Sequence, residues 1–167
     1  FGCRIIANDV YENDAVRAYA EYVDLDTLYR ESDIITIHTP LLPETTGMID
    51  REAIAKMKDG VVFIDNARGE LMDIDAVTEA VESGKFGALF MDAFPGETGI
   101  IHVPHDEDIT PGMPYFKLKY LRSFVNVYHT PHMAFFTEEA AEQMAECGVN
   151  SIYEILTEGK SKHEIPC

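Results

Sequence analysis

Short runs of apolar, often β-branched residues alternate with helix-like segments along the chain, at intervals of roughly 25 to 35 residues. This rhythm is typical of repeated βα units, which build a parallel sheet. Five strands are predicted, at residues 3–8, 33–38, 60–65, 87–92 and 124–128. The runs are almost continuously hydrophobic, which predicts that both faces of the sheet are covered by helices. The predicted fold class is therefore α/β.

The helices between these strands carry sequence signals at their ends. Asp73 precedes the run "IDAVTEAVES" as a predicted N-cap and Gly84 follows it, while Asp50 stands in the same position before "REAIAKM". The last and longest helix is predicted to begin after Thr137 and to end at Gly159. Two glutamates in its first turn suit the positive end of the helix dipole.

Residues 95–122 do not follow the strand and helix rhythm. Proline and glycine recur along this stretch, as in the segment "TPGMP". We therefore expect a long loop, and a long loop in a compact domain is usually functional.

The side chains are strongly acidic overall, because 30 Asp and Glu against 13 Lys and Arg give a net charge of −17. This charge disfavours nucleic acid and anionic membrane surfaces as partners. No apolar run approaches the roughly 20 residues that span a bilayer. The three cysteines show no paired spacing, so neither a disulfide framework nor a zinc ribbon is indicated. A reducing, cytoplasmic location is expected.

Polar side chains follow the predicted strands, at the edge where parallel α/β sheets bind ligands. Asp9 follows the first run. An acid there suits the ribose hydroxyls of a dinucleotide and favours NAD over NADP, while a turn or helix-capping aspartate is an equally open interpretation. Arg68 follows the third run, where its guanidinium matches a carboxylate. Alternatively, Arg68 pairs with one of the many surface acids.

The last two strands are also followed by side chains with chemical potential. Asp92 and Glu97 follow the fourth run, and His132 follows the fifth. Each of them is by itself more often structural than catalytic. An arginine, a glutamate and a histidine at three successive strand ends form a pattern that chance supplies less readily.

Five segments of the chain resemble the D-isomer-specific 2-hydroxyacid dehydrogenase family, and within it the D-lactate dehydrogenase branch. They are "IIANDV", "SDIITIHTPLLPETTGMID", "MKDGVVFIDNARGELMD", "VESGKFGALFMDAFPGE" and "TPHMAFFTEEA". The A-R-G loop, the aspartate-to-glutamate spacing and the T-P-H-x-A-F-F-T segment occur in the family's order. The resemblance covers essentially the whole chain and implies a Rossmann-like sheet.

The resemblance implies roles for individual residues. Arg68 would bind the substrate carboxylate and the reacting oxygen, His132 would exchange the proton, and Glu97 would be the partner of His132. The implied NAD-binding residues are Asp9, Thr39, Pro40, Thr45, Asn66, Ala67 and Asp92. The implied substrate is a small 2-keto or 2-hydroxy acid such as pyruvate, the implied assembly is a homodimer, and no metal is implied. His129 lies outside the matched position and is interpreted as a loop residue.

The chemistry of this reaction fits those residue types. A 2-keto acid needs a hydride from NADH and a proton for its developing alkoxide, and histidine has the ordinary pKa nearest neutrality. A neighbouring carboxylate raises the pKa of the imidazole and stabilises its charged form. Arginine stays charged and its fork matches a carboxylate.

Two sequence details depart from the family pattern. The segment "DNARG" stands where N-T-A-R-G is usual, so Asp65 is expected to weaken or reshape the NAD contact. "FPGE" before Glu97 is also less usual.

The chain contains no G-x-G-x-x-G motif, which the family places on its first strand and helix. We expect residues 1–135 to form an incomplete NAD-binding domain that lacks this first strand and glycine-rich loop, with the sheet split into a pair and a trio. Residues 136–167 would form a C-terminal helix that returns to the substrate domain in the full-length family. The chain would thus be a piece of a longer dehydrogenase and would bind NAD poorly alone.

Two other functions stay open at this point. The first is a metal-binding module, for which the candidate ligands are His102, His105, Asp106, Asp108, His129 and His132. The second is a non-catalytic relative that acts as an interaction or regulatory domain. The missing glycine loop favours this second alternative, and the intact Arg68, Glu97 and His132 disfavour it.

Overall fold

The computed structural model describes residues 2–97 and 114–164. Its strands are β1 (Ile6–Ala7), β2 (Glu21–Tyr22), β3 (Ile34–Ile37), β4 (Val61–Asp65), β5 (Phe86–Met91) and β6 (Val127–His129). Its helices are α1 (Asp14–Arg17), α2 (Leu25–Glu31), α3 (Arg51–Lys56), α4 (Ile74–Glu82), α5 (Pro114–Leu121) and α6 (Glu138–Glu158). A short 3₁₀ turn, Gly69–Leu71, follows β4.

The described strands form two separate parallel sheets. β1 pairs with β2, and β3, β4, β5 and β6 follow one another in a second sheet. All five predicted strands are therefore present, and the sheet is divided in two as predicted, but not into the expected pair and trio. The second sheet has four strands instead of the expected three, because the sequence prediction missed β2. That strand is only two residues long and includes a glutamate, so it lacks the apolar run that marks the others.

One face of the four-stranded sheet forms the hydrophobic core. Phe63, Phe86 and Leu89 are fully buried there, against helix residues such as Val77 and Leu121. Strands β3 to β6 lie in chain order, and successive parallel crossovers have one hand, so their helices pack on the same face.

The other face of this sheet is open. The side chain of Ile34 is 61% exposed, that of Phe90 38% and that of Tyr128 52%. The rings of Phe90 and Tyr128 stack on each other at 4.6 Å between centroids. The prediction that both faces are covered is wrong, because continuous apolar runs are also compatible with a sheet that has helices on one side only.

The predicted helix ends are confirmed. The side chains of Asp50, Asp73 and Thr137 each accept hydrogen bonds from backbone N–H groups of the first helical turn. Gly84 and Gly159 follow their helices with φ angles of +75° and +76°, in the left-handed region that glycine adopts without penalty.

The expected loop at residues 95–122 contains helix α5. Leu118 and Leu121 of this helix are buried in the core, 3% and 0% exposed, which accounts for helix formation in a stretch that the prolines had marked as a loop. A proline is tolerated in the first turn of a helix, so Pro114 begins α5 without breaking it. The prediction of a continuous loop is wrong for this part.

The chain divides into two compact units, residues 1–131 and residues 132–167. The first unit contains both sheets and helices α1 to α5, and the second contains α6. The predicted boundary between residues 135 and 136 lies within the second unit, and its assignment to two functional domains stays a prediction. Among the described residues, no helix has the length and apolarity to cross a membrane.

Candidate functional site

Three loops at the carboxyl ends of β3, β4 and β5 carry most of the predicted site residues. The loop after β3 is fixed by Thr45, whose hydroxyl donates to the Pro40 carbonyl oxygen at 2.7 Å and accepts from the Leu42 N–H at 2.8 Å. Thr39 is half-buried at the start of this loop and Pro40 is exposed. Thr45 therefore has a local structural role, and Thr39 and Pro40 stand at the sheet edge where a ligand contact is predicted.

Glu70 connects all three loops. Its backbone carbonyl accepts a hydrogen bond from the Gly47 N–H in the loop after β3, at 2.9 Å. Its side-chain Oε1 accepts from the Gly96 N–H in the loop after β5, at 3.1 Å. The sequence prediction missed Glu70, although it directly follows the A-R-G motif. The three loops form one connected rim on the first unit.

Arg68 lies on this rim with an exposed side chain. One guanidinium nitrogen donates to the Ala67 carbonyl oxygen at 2.7 Å. In the described part of the chain, no carboxylate forms an ion pair with Arg68. The alternative interpretation, in which Arg68 pairs with a surface acid, is not met by any acid in the described residues, and the exposed guanidinium has five N–H donors.

Asp65 ends β4 directly before this loop and is fully buried, with 0% exposure. Its Oδ1 accepts the Ala67 N–H at 2.8 Å, and its backbone carbonyl accepts the Asp92 N–H at 2.9 Å. Burial is the main reason why the pKa of Asp65 is raised to about 6, and the nearby carboxylates of Glu70 and Asp92 also raise it. The backbone N–H groups of Ala67 and Arg68 act in the opposite direction and lower it.

Asp92 and Glu97 are held by local hydrogen bonds. Asp92 is 4% exposed, and its Oδ1 accepts the Thr130 hydroxyl at 2.5 Å. Glu97 is half-buried and accepts the Phe94 N–H at 3.2 Å, while its own N–H donates to the Phe94 carbonyl at 3.0 Å. Both carboxylates are thus fixed on the rim by the turn after β5 and by the end of β6.

The two histidines of the T-P-H segment have different settings. His129 is the last residue of β6, pairs in register with Met91 and is half-buried, so its interpretation as a loop residue is wrong. Burial lowers the pKa of His129, helped by Arg122 and opposed by the charges of Asp92 and Glu97. His132 belongs to the second unit and has a φ of +50°, which is uncommon for a residue with a side chain. The meeting of His132 with Arg68 and Glu97 stays a prediction.

Several described groups fit a dinucleotide. Asp9 is exposed at the end of β1, where its Oδ1 accepts the Tyr11 N–H at 2.9 Å, as in the turn interpretation, and its carboxylate still faces the surface as an acceptor for ribose hydroxyls. The exposed amide of Asn66 borders a mostly apolar depression of about 260 Å³. The depression is lined by Ile64, Asn66, Phe90, Met91, Tyr128 and Thr130. The Asp9 carboxylate and the Asn66 amide are polar groups of the kinds that can form hydrogen bonds with the hydroxyl and amide groups of NAD.

The described residues contain no arrangement of ligands that supports the metal-binding alternative. There, no group of three or more His, Cys, Asp or Glu side chains is placed to hold a metal ion. His102, His105, Asp106 and Asp108 lie outside the described residues.

Residues 1–134 match the family model of the D-isomer specific 2-hydroxyacid dehydrogenase, NAD binding domain. An aromatic 2-oxoacid reductase of Clostridium sporogenes is 40% identical over 164 residues, which cover 98% of this chain and 49% of that protein. A D-lactate/D-glycerate dehydrogenase of Pediococcus acidilactici is 36% identical and is matched over 99% of this chain and 49% of its own length. The chain thus spans about half the length of the curated relatives it matches.

Solved structures give the same match. The D-lactate dehydrogenase of Lactobacillus jensenii with NAD⁺ superposes with a TM-score of 0.86 at 35% identity, over 99% of this chain and 49% of that one. A D-lactate dehydrogenase from Sporolactobacillus superposes with a TM-score of 0.88 at 33% identity, over 98% of this chain and 48% of that one. The Rossmann-like α/β class and the NAD-binding assignment expected from the sequence are confirmed.

Proposed function

Because the chain belongs to the D-isomer specific 2-hydroxyacid dehydrogenase family, we propose that it provides the NAD-binding domain and the reactive side chains of an enzyme that reduces a 2-keto acid to a D-2-hydroxy acid. The observation that carries this proposal is the setting of Arg68. In a chain with a net charge of −17, its exposed guanidinium stands at the ligand edge of the sheet, and no carboxylate of the described residues pairs with it.

The three reactive side chains have distinct tasks in this proposal. Arg68 binds the substrate carboxylate with two parallel hydrogen bonds and thereby fixes the keto group for reaction. His132 gives a proton to the developing alkoxide, and the carboxylate of Glu97 is the partner of that imidazole. NAD supplies the hydride chemistry when bound. The residues that we propose to hold it are Asp9, Thr39, Pro40, Thr45, Asn66, Ala67 and Asp92.

The substrate side chain separates two finer proposals. The relatives reported above include an enzyme named for D-lactate and D-glycerate and an enzyme named for aromatic 2-oxoacids. Phe135 and Phe136, which follow His132 by three and four residues, are 53% and 64% exposed and lie edge to face, and this supports an apolar wall for the substrate. We propose pyruvate as a substrate and include phenylpyruvate as its bulkier competitor.

The assembly and location follow from other features. We propose a homodimer, because the resemblance to the family implies one. We propose the cytoplasm because the three cysteines of the sequence show no paired spacing. Light scattering of the purified protein checks the dimer, with a monomer as the contradicting result.

The test of the proposed reaction is an assay of NADH oxidation with pyruvate and phenylpyruvate, on the longest natural polypeptide that contains this chain. We expect a D-configured product by chiral chromatography. Arg68→Lys keeps the charge but loses the fork, so KM for the keto acid should rise about 10- to 100-fold. His132→Gln should lower kcat by about a hundredfold or more, with a smaller effect on KM.

The matched control is Arg30→Gln, which changes an exposed arginine of α2 whose guanidinium donates to Thr27. This variant should keep the wild-type KM and kcat. Absence of turnover with every 2-keto acid, in a polypeptide that binds NADH, would instead support the non-catalytic relative. For the 167-residue chain by itself, we expect little rise in Tm on adding NAD.

A further inference from the structure

The end of strand β4 contains a buried carboxylate whose second oxygen has no hydrogen bond. Asp65 is 0% exposed, and among the described residues its Oδ2 has no donor. Buried polar atoms are nearly always paired, so an orphaned carboxylate oxygen needs an explanation. Asp65 does not contact solvent, and it is not one of the groups to which the proposed reaction assigns a role.

The other oxygen of Asp65 holds the loop that carries Arg68. Oδ1 accepts the N–H of Ala67 at 2.8 Å, and the N–H of Arg68 also stabilises the charged carboxylate. The same segment continues into the Gly69–Leu71 turn, whose amide groups at positions 71 and 72 donate back to Arg68 and Gly69 at 3.1 and 3.0 Å. The direction of the Arg68 backbone therefore depends on the Asp65 carboxylate.

Among the described residues, the charged groups around Asp65 give it no counter-ion. Glu70 on the 3₁₀ turn and Asp92 after β5 are both acidic and both disfavour its ionised form. On the neighbouring β3, Ile37 is its register partner, and the next residue, His38, bonds its ring Nε2 to the Thr36 hydroxyl at 2.9 Å. The ionised form of the carboxylate is therefore stabilised by the backbone N–H groups of Ala67 and Arg68 and disfavoured by its burial.

We propose that Asp65 is a positioning residue for Arg68, and that the ionised carboxylate holds the Arg68 loop more firmly than the protonated one. The inference rests on the proposed function, since it assigns Arg68 to the substrate carboxylate. The physical reason is that an ionised acceptor forms a hydrogen bond roughly twice as strong as a neutral one. Burial brings the change of state to about pH 6, within the range in which an enzyme works.

The substitution Asp65→Asn separates the shape of the loop from the ionisation of the side chain. An asparagine keeps an oxygen that accepts the Ala67 N–H, so the loop retains its shape, but it no longer ionises. The structure also offers an internal reference, because the Thr27 N–H donates to Oδ1 of the exposed Asp24 at 2.7 Å. Hydrogen bonds from Thr27 lower the pKa of Asp24, so the Thr27 amide should titrate below the ordinary pKa of an aspartate in both proteins.

The first measurement is the pH dependence of backbone amide signals by ¹H–¹⁵N NMR of the 167-residue chain. We expect the Ala67 and Arg68 amides of the wild type to titrate with a midpoint at about pH 6, and the same amides of Asp65→Asn to stay flat across that midpoint. Identical profiles in the two proteins, or midpoints at the ordinary pKa of an aspartate, would overturn the inference.

The second measurement is the pH profile of KM and kcat for the keto acid, on the longest natural polypeptide that contains the chain. From pH 7 to pH 5 the wild-type KM should rise about fivefold more than that of Asp65→Asn, while the kcat profiles coincide. Parallel KM profiles would overturn the inference. Titrating amides in a protein without turnover would support the loop anchor and contradict the proposed function, so the two failures are distinguishable.

Discussion

A side chain at position 69 would collide with the backbone of Phe94, because a Cβ built on Gly69 would lie 2.3 Å from the Phe94 carbonyl carbon. The Pro95 nitrogen would be 2.4 Å away. The turn that follows Arg68 therefore lies directly against the turn that leads to Glu97. This close approach, together with the bond between Glu70 and Gly96, couples the two proposed reactive loops.

Gly69→Ala should disrupt this contact. We expect the free energy of unfolding to fall by about 1–3 kcal/mol, because the neighbouring atoms are backbone and cannot rotate away. In an active polypeptide, kcat/KM for the keto acid should fall as well. The control is Gly148→Ala in helix α6, where a Cβ meets no atom within 4 Å. Since alanine favours a helix interior by about 0.5–1 kcal/mol over glycine, that variant should be as stable or more stable. Equal denaturation midpoints for Gly69→Ala and wild type would contradict the prediction.

Asp65 should make the protein less stable as the pH rises. Its pKa of about 6 in the folded state exceeds its ordinary 3.8, so the folded state binds the proton more tightly than the unfolded state. The free energy of unfolding should thus decrease between about pH 4 and pH 6, by at most about 3 kcal/mol for this group. Relative to wild type, Asp65→Asn should therefore gain stability from pH 4 to pH 7 in urea titrations.

The control for this titration is Asp59→Asn. The exposed Asp59 pairs with Lys85 at 2.8 Å, and this pair lowers its pKa. A lowered pKa stabilises the folded state above the ordinary pKa of aspartate, so the Asp59→Asn protein should lose a little stability relative to wild type as the pH rises. A trend of the same sign in both variants would count against a specific role for the burial of Asp65.

Tyr29→Phe should stabilise the protein. Tyr29 is 4% exposed, and in the described residues its hydroxyl has no hydrogen-bond partner. Burial, with the charges of Asp50 and Asp26, raises the pKa of Tyr29 to about 12, so the hydroxyl stays neutral. Its removal should raise the free energy of unfolding by about 1 kcal/mol.

Tyr120→Phe is the matched control for that substitution. The Tyr120 hydroxyl donates to Glu82 Oε1 at 2.6 Å, so its loss should leave the stability unchanged or slightly reduced. Thermal or urea denaturation measures both variants. A stability loss of about 1 kcal/mol in Tyr29→Phe would contradict the prediction, because it is the loss expected for a hydroxyl that is hydrogen-bonded.

Thr130→Val should destabilise the end of β6. The Thr130 hydroxyl donates to the buried Asp92 carboxylate, and a charged acceptor that loses a donor costs about 1.5–3 kcal/mol. Thr130→Ser keeps the donor and should stay close to wild type. Urea denaturation at neutral pH compares the two. Equal losses in both variants would indicate that the threonine methyl group, and not the hydroxyl, is important.

Much of the fold could be predicted from local sequence signals. Five strands, three side-chain caps and the glycines that end α4 and α6 follow from apolar runs and from residues beside them. β2 and α5 could not be found in this way, because β2 has two residues and α5 begins at a proline. The open face of the sheet could not be predicted either, since an apolar run does not reveal how many faces of the sheet are covered.

Less of the candidate site could be predicted. Arg68, Asp92 and Glu97 were found because they stand in the loops that follow β4 and β5, at the predicted sheet edge. Glu70 and Thr130 were missed, because their importance comes from partners 26 and 38 residues away in the chain. His129 was assigned to a loop because the preceding segment gives no sign of where β6 ends.

The amino-acid sequence by itself determined most of the order of strands and helices, the family and the proposed set of reactive side chains, because these are encoded in neighbouring residues. The tertiary structure alone decided that Asp65 is buried, with no counter-ion in the part of the chain that the structure describes, and that Gly69 touches Phe94. It also decided that Glu70 ties three loops together. Each of these relationships depends on which distant segments meet at the end of the sheet, and burial, steric contact and charge environment arise only when they do.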